Sequence, residues 1–394
     1  MSVNAEGTMT MQPLLVQQRN SPASGSDPLI RIDGVSKRFN ETIALEAVDL
    51  DIGNGEMMIF LGPSGSGKTT LLRIIAGLES ATDGRIILAG RDVTDLPPEQ
   101  RNVSMVFQDL ALYPHMTAFQ NIAFPLEAKR GRSKQEIRRL VEEKAAMVGI
   151  TELLSRRIGQ LSGGQRQRVA LARALVREPT VFLMDEAFSS LDAILRREFR
   201  AEFKRFQRRL GVTMVHVTHD PEEAMTMGDR VVVFDQGRLI QVGSPVDLFL
   251  NPATLFVARF VGSPPMNLLP CVVTNHDGAL ALRGDEWSLS LPAEIAERVR
   301  RGTEVDATVT LAIRPQHLEW SHTPWPDFNL ETVVDVIEPV GTEEIVHCLL
   351  GDEEVQGLFP LFGGLGEGDR AYLHFQLQNA LIFDGTGDDA RRLV

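Results

Sequence analysis

Several short stretches carry side chains whose types and spacing suit chemistry on a polyphosphate. The first is GPSGSGKTT, Gly62 to Thr70. Its glycines Gly65 and Gly67 let backbone N–H groups turn inward around phosphate oxygens, and a helix opening near Lys68 aims its dipole at them. Lys68 suits the β- and γ-phosphates, the Thr69 hydroxyl is a hard ligand of the kind Mg2+ takes, and Thr70 falls at the α-phosphate region. The second is VFLMDEAFSSLD, in which the apolar residues Val181 to Met184 deliver Asp185 and Glu186. Two adjacent carboxylates can divide the work: Asp185 holds Mg2+, directly or through water, and Glu186 polarises an attacking water as general base. Acidic pairs at strand ends are common, so this pair draws its meaning from its company. That company includes His219, closing VTMVHVTHD and able to bond a γ-phosphate and the attacking water, and Gln108 in MVFQD, whose amide can ligate Mg2+ and sense the loop that follows.

The elements that must position these groups are legible around them. LIRIDGVSKRF and ALEAVDLDI alternate as two strands of a small antiparallel sheet. EMMIFLG reads as a buried strand running into the glycine loop, and LLRIIAGL after it as a helix with Leu71, Ile74, Ile75 and Leu78 on one face. Strand, glycine loop and helix in this order are the context the G-x-x-x-x-G-K-[ST] pattern requires. His219 and Gln108 follow apolar segments at the strand edge where parallel α/β sheets place their ligands.

LSGGQRQRVALARA, Leu161 to Ala174, opens a helical pattern with two adjacent glycines. Helix-opening N–H groups and the Ser162 hydroxyl suit an anion; taken alone, a loop followed by a capped helix explains the stretch as well. Between Gln108 and Leu161, Ser133 and Glu136 form a capping-box pattern, and Ile137, Leu140, Val141 and Val148 make one apolar stripe, so a helical subdomain is expected. The basic run Lys129 to Arg132 reads as a solvated loop. LRREFRAEFKRFQRRL places Leu195, Phe199, Phe206 and Leu210 on a covered face with its basic residues in solvent.

Composition bounds the rest. With 394 residues and 43% apolar content the chain suits two globular domains with full cores. A formal charge of −13 excludes a general nucleic-acid binder, which needs a basic face. Cys271 and Cys348 are the only cysteines, which excludes a disulfide framework and a cysteine zinc site and makes the cytoplasm the default compartment. No apolar run is long enough to span a bilayer; the candidate Leu110 to Leu126 is broken by Pro114, His115, Gln120, Asn121 and Pro125. Residues 1–27 lack the basic and apolar regions of a secretory signal and read as a disordered tail, with Met9 and Met11 as alternative starts.

Taken in order, the P-loop, Gln108, LSGGQ, Asp185–Glu186, SSLD and His219 resemble the ATP-binding cassette (ABC) ATPases. Gly62 to Thr69 resembles the Walker A motif, Gln108 the Q-loop, Leu161 to Gln165 the signature, Val181 to Glu186 Walker B, Ser189 to Asp192 the D-loop and His219 the switch histidine. The resemblance implies an α/β fold: a RecA-like P-loop core with an antiparallel β subdomain and a helical subdomain at about 108–176, within a nucleotide-binding domain at 28–260. It implies ATP and Mg2+ as ligands. ATP would be held by Gly62, Pro63, Ser64, Gly65, Ser66, Gly67, Lys68, Thr69 and Thr70, with Phe39 stacking on adenine where tyrosine is common, and the metal by Thr69, Gln108 and Asp185. It implies a head-to-tail homodimer in which Ser162, Gly163, Gly164 and Gln165 reach the partner's nucleotide, with Asp192 in the D-loop. Ala187 departs from the proline usual after the Walker B glutamate and leaves the carboxylates untouched.

The segment PEEAMTMGDRVVVFDQGRLIQVGSPVDLFLNPATLFVARFVGSPPMNLLP and the later LAIRPQHL, VIEPVGTEE and LIFDGTG resemble importer ATPases of the maltose and glycerol-phosphate type. Short alternating strands after Leu269 indicate an all-β second domain, and the resemblance makes residues 261–394 an OB-like regulatory domain. The resemblance further implies permease subunits that dock on LALYPHMTAFQNIAFPL, an external solute-binding protein, a place on the cytoplasmic face of the bacterial inner membrane, and a sugar, glycoside, polyol or glycerol phosphate as solute. Polyamine, sulfate and iron importers use similar ATPases. A soluble cassette ATPase for DNA or ribosomes would carry a coiled-coil insertion, zinc cysteines or a second cassette, and an exporter would more often carry fused membrane spans; the sequence has none of these.

Overall fold

The computed structural model describes residues 27–128, 131–189, 193–276, 279–326 and 328–394. The expectations for the tail up to Ser26, for Lys129 and Arg130, for Asp192 and for the side chain of Leu195 lie outside the described residues. The chain divides into two compact units. One holds the described residues up to Met58 with Gly67–His216 and Gln236–Arg238; the other holds Ile59–Ser66, Val217–Asp235 and Leu239–Val394.

In chain order the first elements are β1 (Ile30–Phe39), β2 (Thr42–Ile52), β3 (Met57–Leu61), α1 (Lys68–Ala76), β4 (Asp83–Leu88), β5 (Arg91–Asp92) and β6 (Val103–Val106). There follow α2 (Ala118–Ala128), α3 (Lys134–Met147), α4 (Gly163–Leu175), β7 (Val181–Asp185), α5 (Ala193–Leu210), β8 (Thr213–Thr218), α6 (Pro221–Met227), β9 (Arg230–Asp235) and β10 (Arg238–Gly243). One antiparallel sheet has the order β2-β1-β4-β5. Its strand β1 alternates buried and half-buried residues, the pattern of a sheet covered on one face. A six-stranded sheet has the order β10-β9-β3-β8-β7-β6. In it β6 and β7 run parallel, from Val103 opposite Val181 to Val106 opposite Met184. Strands β3 and β8 are buried at every residue, as strands covered on both faces must be.

The helices bury the stripes their sequences carry. Leu71, Ile74 and Ile75 of α1 are buried, but Leu78 is 39% exposed. The helix stops at Ala76 because Gly77 takes a left-handed conformation, φ 77, and donates to the Arg73 and Ile74 carbonyls. At the start of α3 the Ser133 hydroxyl accepts from the Glu136 N–H at 3.2 Å, and Ile137, Leu140, Val141 and Val148 are buried. The face of α5 is covered by Phe199, Phe203 and Phe206. Phe203, absent from the face expected of Leu195, Phe199, Phe206 and Leu210, is the most deeply buried of the three at 2% exposure.

The C-terminal elements are α7 (Pro245–Leu250), α8 (Leu255–Phe260), β11 (Asn267–His276), β12 (Ala279–Arg283), β13 (Ser288–Ser290), α9 (Ala293–Gly302) and β14 (Thr308–Ile313). Six strands complete them: β15 (Glu319–Ser321), β16 (Leu330–Val340), β17 (Glu343–Leu350), β18 (Glu353–Pro360), β19 (Arg370–His374) and β20 (Ala380–Phe383). They form two five-stranded sheets, β13-β12-β11-β14-β20 and β15-β19-β16-β17-β18. Leu269, Val309 and Ile382 of one and Leu330, Val346 and Leu373 of the other share a single apolar core. The Asn267 side chain joins the sheets, donating to the Gln356 carbonyl and accepting from its N–H, each at 2.8 Å. One element departs from the all-β expectation: α9 is a helix, and it seats Ala296 and Val299 in that core.

Candidate active site

Strand β3 delivers the chain to Gly62, whose φ of 155 and crowded surroundings exclude a side chain: a Cβ would lie 2.2 Å from the Phe234 carbonyl oxygen. Gly67 is similarly constrained. Its φ is 98, and a Cβ would stand 2.6 Å from the Ala44 carbonyl oxygen and 2.7 Å from a Leu45 methyl. Gly67 caps α1, so the helix opens at Lys68 with no side chain in front of its first turn. That is the arrangement in which helix-opening N–H groups receive phosphate. Ser64 and Gly65 are exposed at the tip of the loop, Ser66 is buried, and Pro63, Thr69 and Thr70 are half-buried.

Lys68 is 4% exposed. Burial lowers its pKa, and Glu186 and then Asp185 oppose that shift. Strand β7 places the two carboxylates after a buried apolar run, as expected. The Thr69 hydroxyl donates to Asp185 Oδ1 at 2.8 Å, across 116 residues of chain. Burial raises the Asp185 pKa; the Thr69 hydrogen bond lowers it and neighbouring Glu186 raises it further. Glu186 sits in a left-handed backbone conformation, φ 44, which costs a non-glycine residue about 1–3 kcal/mol. The turn is braced from behind, where the Ser189 hydroxyl donates to the Glu186 carbonyl at 2.8 Å. Thus Lys68, Thr69, Asp185 and Glu186 are brought into one electrostatic group.

An aromatic anchor that the motif reading did not contain sits under this turn. Phe188 is fully buried, with its ring centroid 5.3 Å from Phe199, 5.5 Å from Phe203 and 4.9 Å from His216. The signal was available in the aromatic spacing of α5. Ala187 is also fully buried.

His219 follows the last residue of β8 and is exposed. Its neighbours on both sides are pinned: the Thr218 hydroxyl donates to Glu223 Oε2 at 2.7 Å, and Asp220 caps α6 by accepting from the Glu222 and Glu223 N–H groups. Gln108 is exposed two residues beyond β6. Phe39 ends β1, is 44% exposed, and has Lys37 Nζ 4.8 Å from its ring centroid.

Ser162 is the N-cap of α4 in a complete capping box: its hydroxyl accepts from the Gln165 N–H at 3.3 Å, and Gln165 Oε1 accepts from the Ser162 N–H at 3.0 Å. The capped helix read from the sequence is therefore present. It does not account for the glycines. Among the described residues a Cβ on Gly164 would meet no atom within 4 Å, and neither Gly163 nor Gly164 has a positive φ.

A glycine loop, a buried lysine at a helix start and a hydroxyl–carboxylate pair at the end of a parallel strand define a P-loop nucleoside-triphosphatase. A family model described as "ABC transporter" matches residues 45–189, and one described as "MalK OB fold domain" matches residues 262–318. The trehalose/maltose import ATP-binding protein MalK of Thermococcus litoralis is 46% identical over 367 residues, 91% of this chain and 98% of that one. The sn-glycerol-3-phosphate import ATP-binding protein UgpC of Chromohalobacter salexigens is 46% identical over 362 residues, 91% and 95% of the two chains. Among solved structures, cbiO1 from Clostridium perfringens, described as part of the ABC transporter complex cbiONQ, matches with a TM-score of 0.53 and 29% identity over 57% of this chain and 91% of that one. The chain belongs to the ABC family as the ATP-hydrolysing subunit of an importer.

Proposed function

We propose that the chain works as a homodimer on the cytoplasmic face of the inner membrane, beneath two permease subunits that an external solute-binding protein loads. Among the described residues no helix is long and apolar enough to cross a membrane. The solute class is a sugar, glycoside, polyol or glycerol phosphate, as the names of the relatives support. The domain at 28–260 carries the chemistry, and that at 261–394 is regulatory.

The observation that carries the mechanism is the Thr69–Asp185 hydrogen bond beside buried Lys68 and half-buried Glu186. Lys68 takes the β- and γ-phosphates, and Ser64 to Thr70 wrap them with backbone N–H groups. Thr69 and Asp185 form a hard oxygen pair that fits Mg2+, with Gln108 as a third ligand. When bound, Mg2+ neutralises phosphate charge. Glu186 draws the proton of the attacking water, and His219 orients that water and the γ-phosphate. Phe39 offers its exposed ring to adenine. Catalysis is by positioning and electrostatics, with no covalent intermediate.

Ser162, Gly163, Gly164 and Gln165 complete the partner's site. A Cβ on Gly164 would meet no atom of the described residues within 4 Å, so the subunit's own described packing does not use this glycine. The stretch around Tyr113, Pro114, Met116 and Phe119 receives the permease. Tyr113 packs on Phe124, centroids 4.8 Å apart, and Phe124 is 38% exposed. Replacing Glu186 by Gln tests the assignment: turnover is expected to fall by a factor of about 10²–10⁴, with ATP retained in a closed dimer on size exclusion. Brisk hydrolysis by that variant would sink the role given to Glu186.

A further inference from the structure

Arg173, in the last turn of α4, has a task that none of the nucleotide motifs assigns. Its two terminal guanidinium nitrogens donate to the carbonyls of consecutive residues, Nη1 to Ala111 at 2.6 Å and Nη2 to Leu110 at 2.6 Å. Both of those residues have left-handed backbones, with φ 59 at Leu110 and φ 46 at Ala111. Residues with a Cβ avoid that conformation, and two in succession need something to hold them. One local bond helps, from the Ala111 N–H to Asp109 Oδ1 at 3.1 Å, and the Leu110 side chain is buried.

The same guanidinium lies 6.0 Å from the centroid of the Tyr113 ring. Tyr113 is fixed in turn by the buried amide of Asn121, which accepts from its N–H at 2.8 Å and donates to its carbonyl at 3.1 Å. The bent segment starts two residues after Gln108. At its other end, the arginine stands eleven residues along α4 from Ser162, a rigid lever of about 16 Å.

We propose that Arg173 is a positioning residue for ATP hydrolysis: its guanidinium holds the Leu110–Ala111 bend against the helix that begins at Ser162, so that Gln108 and the signature serine move together. A planar, charged fork suits this work, because both of its bonds form only in one orientation of the two peptide groups. The proposal rests on the reading of Gln108 as a site residue.

The test uses the full-length chain with MgATP as probe. Arg173→Met keeps the aliphatic stem and removes both donors, and Arg173→Lys keeps the charge without the fork. Arg173→Met is expected to lower kcat about tenfold, with KM for ATP changed by less than about twofold, and Arg173→Lys to fall between. Adding Ala111→Gly to Arg173→Met is expected to recover about a third of the lost turnover, because glycine adopts the left-handed bend unaided. Unchanged kcat in Arg173→Met overturns the proposal, and so does a loss that Ala111→Gly leaves untouched. Gln108→Ala separates the two readings. If it impairs turnover while Arg173→Met does not, the clamp alone fails; if Gln108→Ala turns over normally, the reading of Gln108 fails and the proposal with it.

Discussion

Gly164→Ala distinguishes a glycine kept for its own chain from one kept for a partner. Gly164 is the second residue of α4; its φ is not positive, and a Cβ there meets no atom of the described residues within 4 Å. Within the subunit the substitution therefore meets no clash and gains helix propensity, about 0.5–1 kcal/mol. For a domain of this size that corresponds to a Tm increase of about 1–4 °C in the nucleotide-free protein. In a dimer whose partner places a γ-phosphate over the same backbone, the new methyl holds the phosphate off the N–H groups. Loss of one charged hydrogen bond, about 1.5–3 kcal/mol, lowers turnover by roughly ten- to a hundredfold. Calorimetry on the subunit and phosphate release at saturating MgATP give the two quantities. A raised Tm with normal turnover refutes the partner reading, and a lowered Tm refutes the claim that the chain's own packing does not need this glycine.

Ser162→Arg removes an N-cap and should cost about 1 kcal/mol of stability, leaving the affinity of the isolated subunit for ATP intact while turnover is lost; equilibrium binding and phosphate release check it, and normal turnover contradicts it. Asp185→Asn tests the half-buried carboxylate. Burial raises its pKa above the ordinary 3.8, so the native state binds this proton more tightly than the unfolded chain and stability falls as pH rises from 3.8 through the raised value. The metal-free Asn variant should lose that part of the pH dependence and exceed the parent in Tm at pH above the window; identical pH profiles would contradict it. Arg314, 2% exposed, donates to the Val261 and Phe249 carbonyls and lies 3.9 Å from the centroid of the Phe249 ring, and burial pulls its pKa down to about 10. Arg314→Ala should lower stability by about 2–4 kcal/mol in denaturant unfolding, because it empties a buried volume and leaves carbonyls without a donor; a change under half a unit of that scale would contradict the account.

Much of the site was legible because its parts are contiguous. Glycines that admit no Cβ, a lysine and a hydroxyl fall within nine residues of one loop, and the strand before it announces itself by an unbroken apolar run. The same held for the strand that carries Asp185 and Glu186. Where the reading went astray, the cause was local. Leu78 follows the helical count, but Gly77 ends the helix first. Helix α9 hides because its dense charge leaves Ala296 and Val299 as its only fully buried residues, too narrow a stripe to separate from the turns around it.

What the sequence alone determined is therefore the inventory: a phosphate loop, a carboxylate pair, a capped glycine-led helix and a β-rich C-terminal region. Contacts between distant segments belonged to tertiary structure. Thr69 reaches Asp185 across 116 residues, Phe188 is seated by the aromatic face of α5, and Arg173 holds a bend that lies 62 and 63 residues before it. Periodicity and motif spacing encode what neighbours along the chain do, whereas the partner of a side chain is chosen by which strand ends and helix faces the packed core brings within hydrogen-bonding distance.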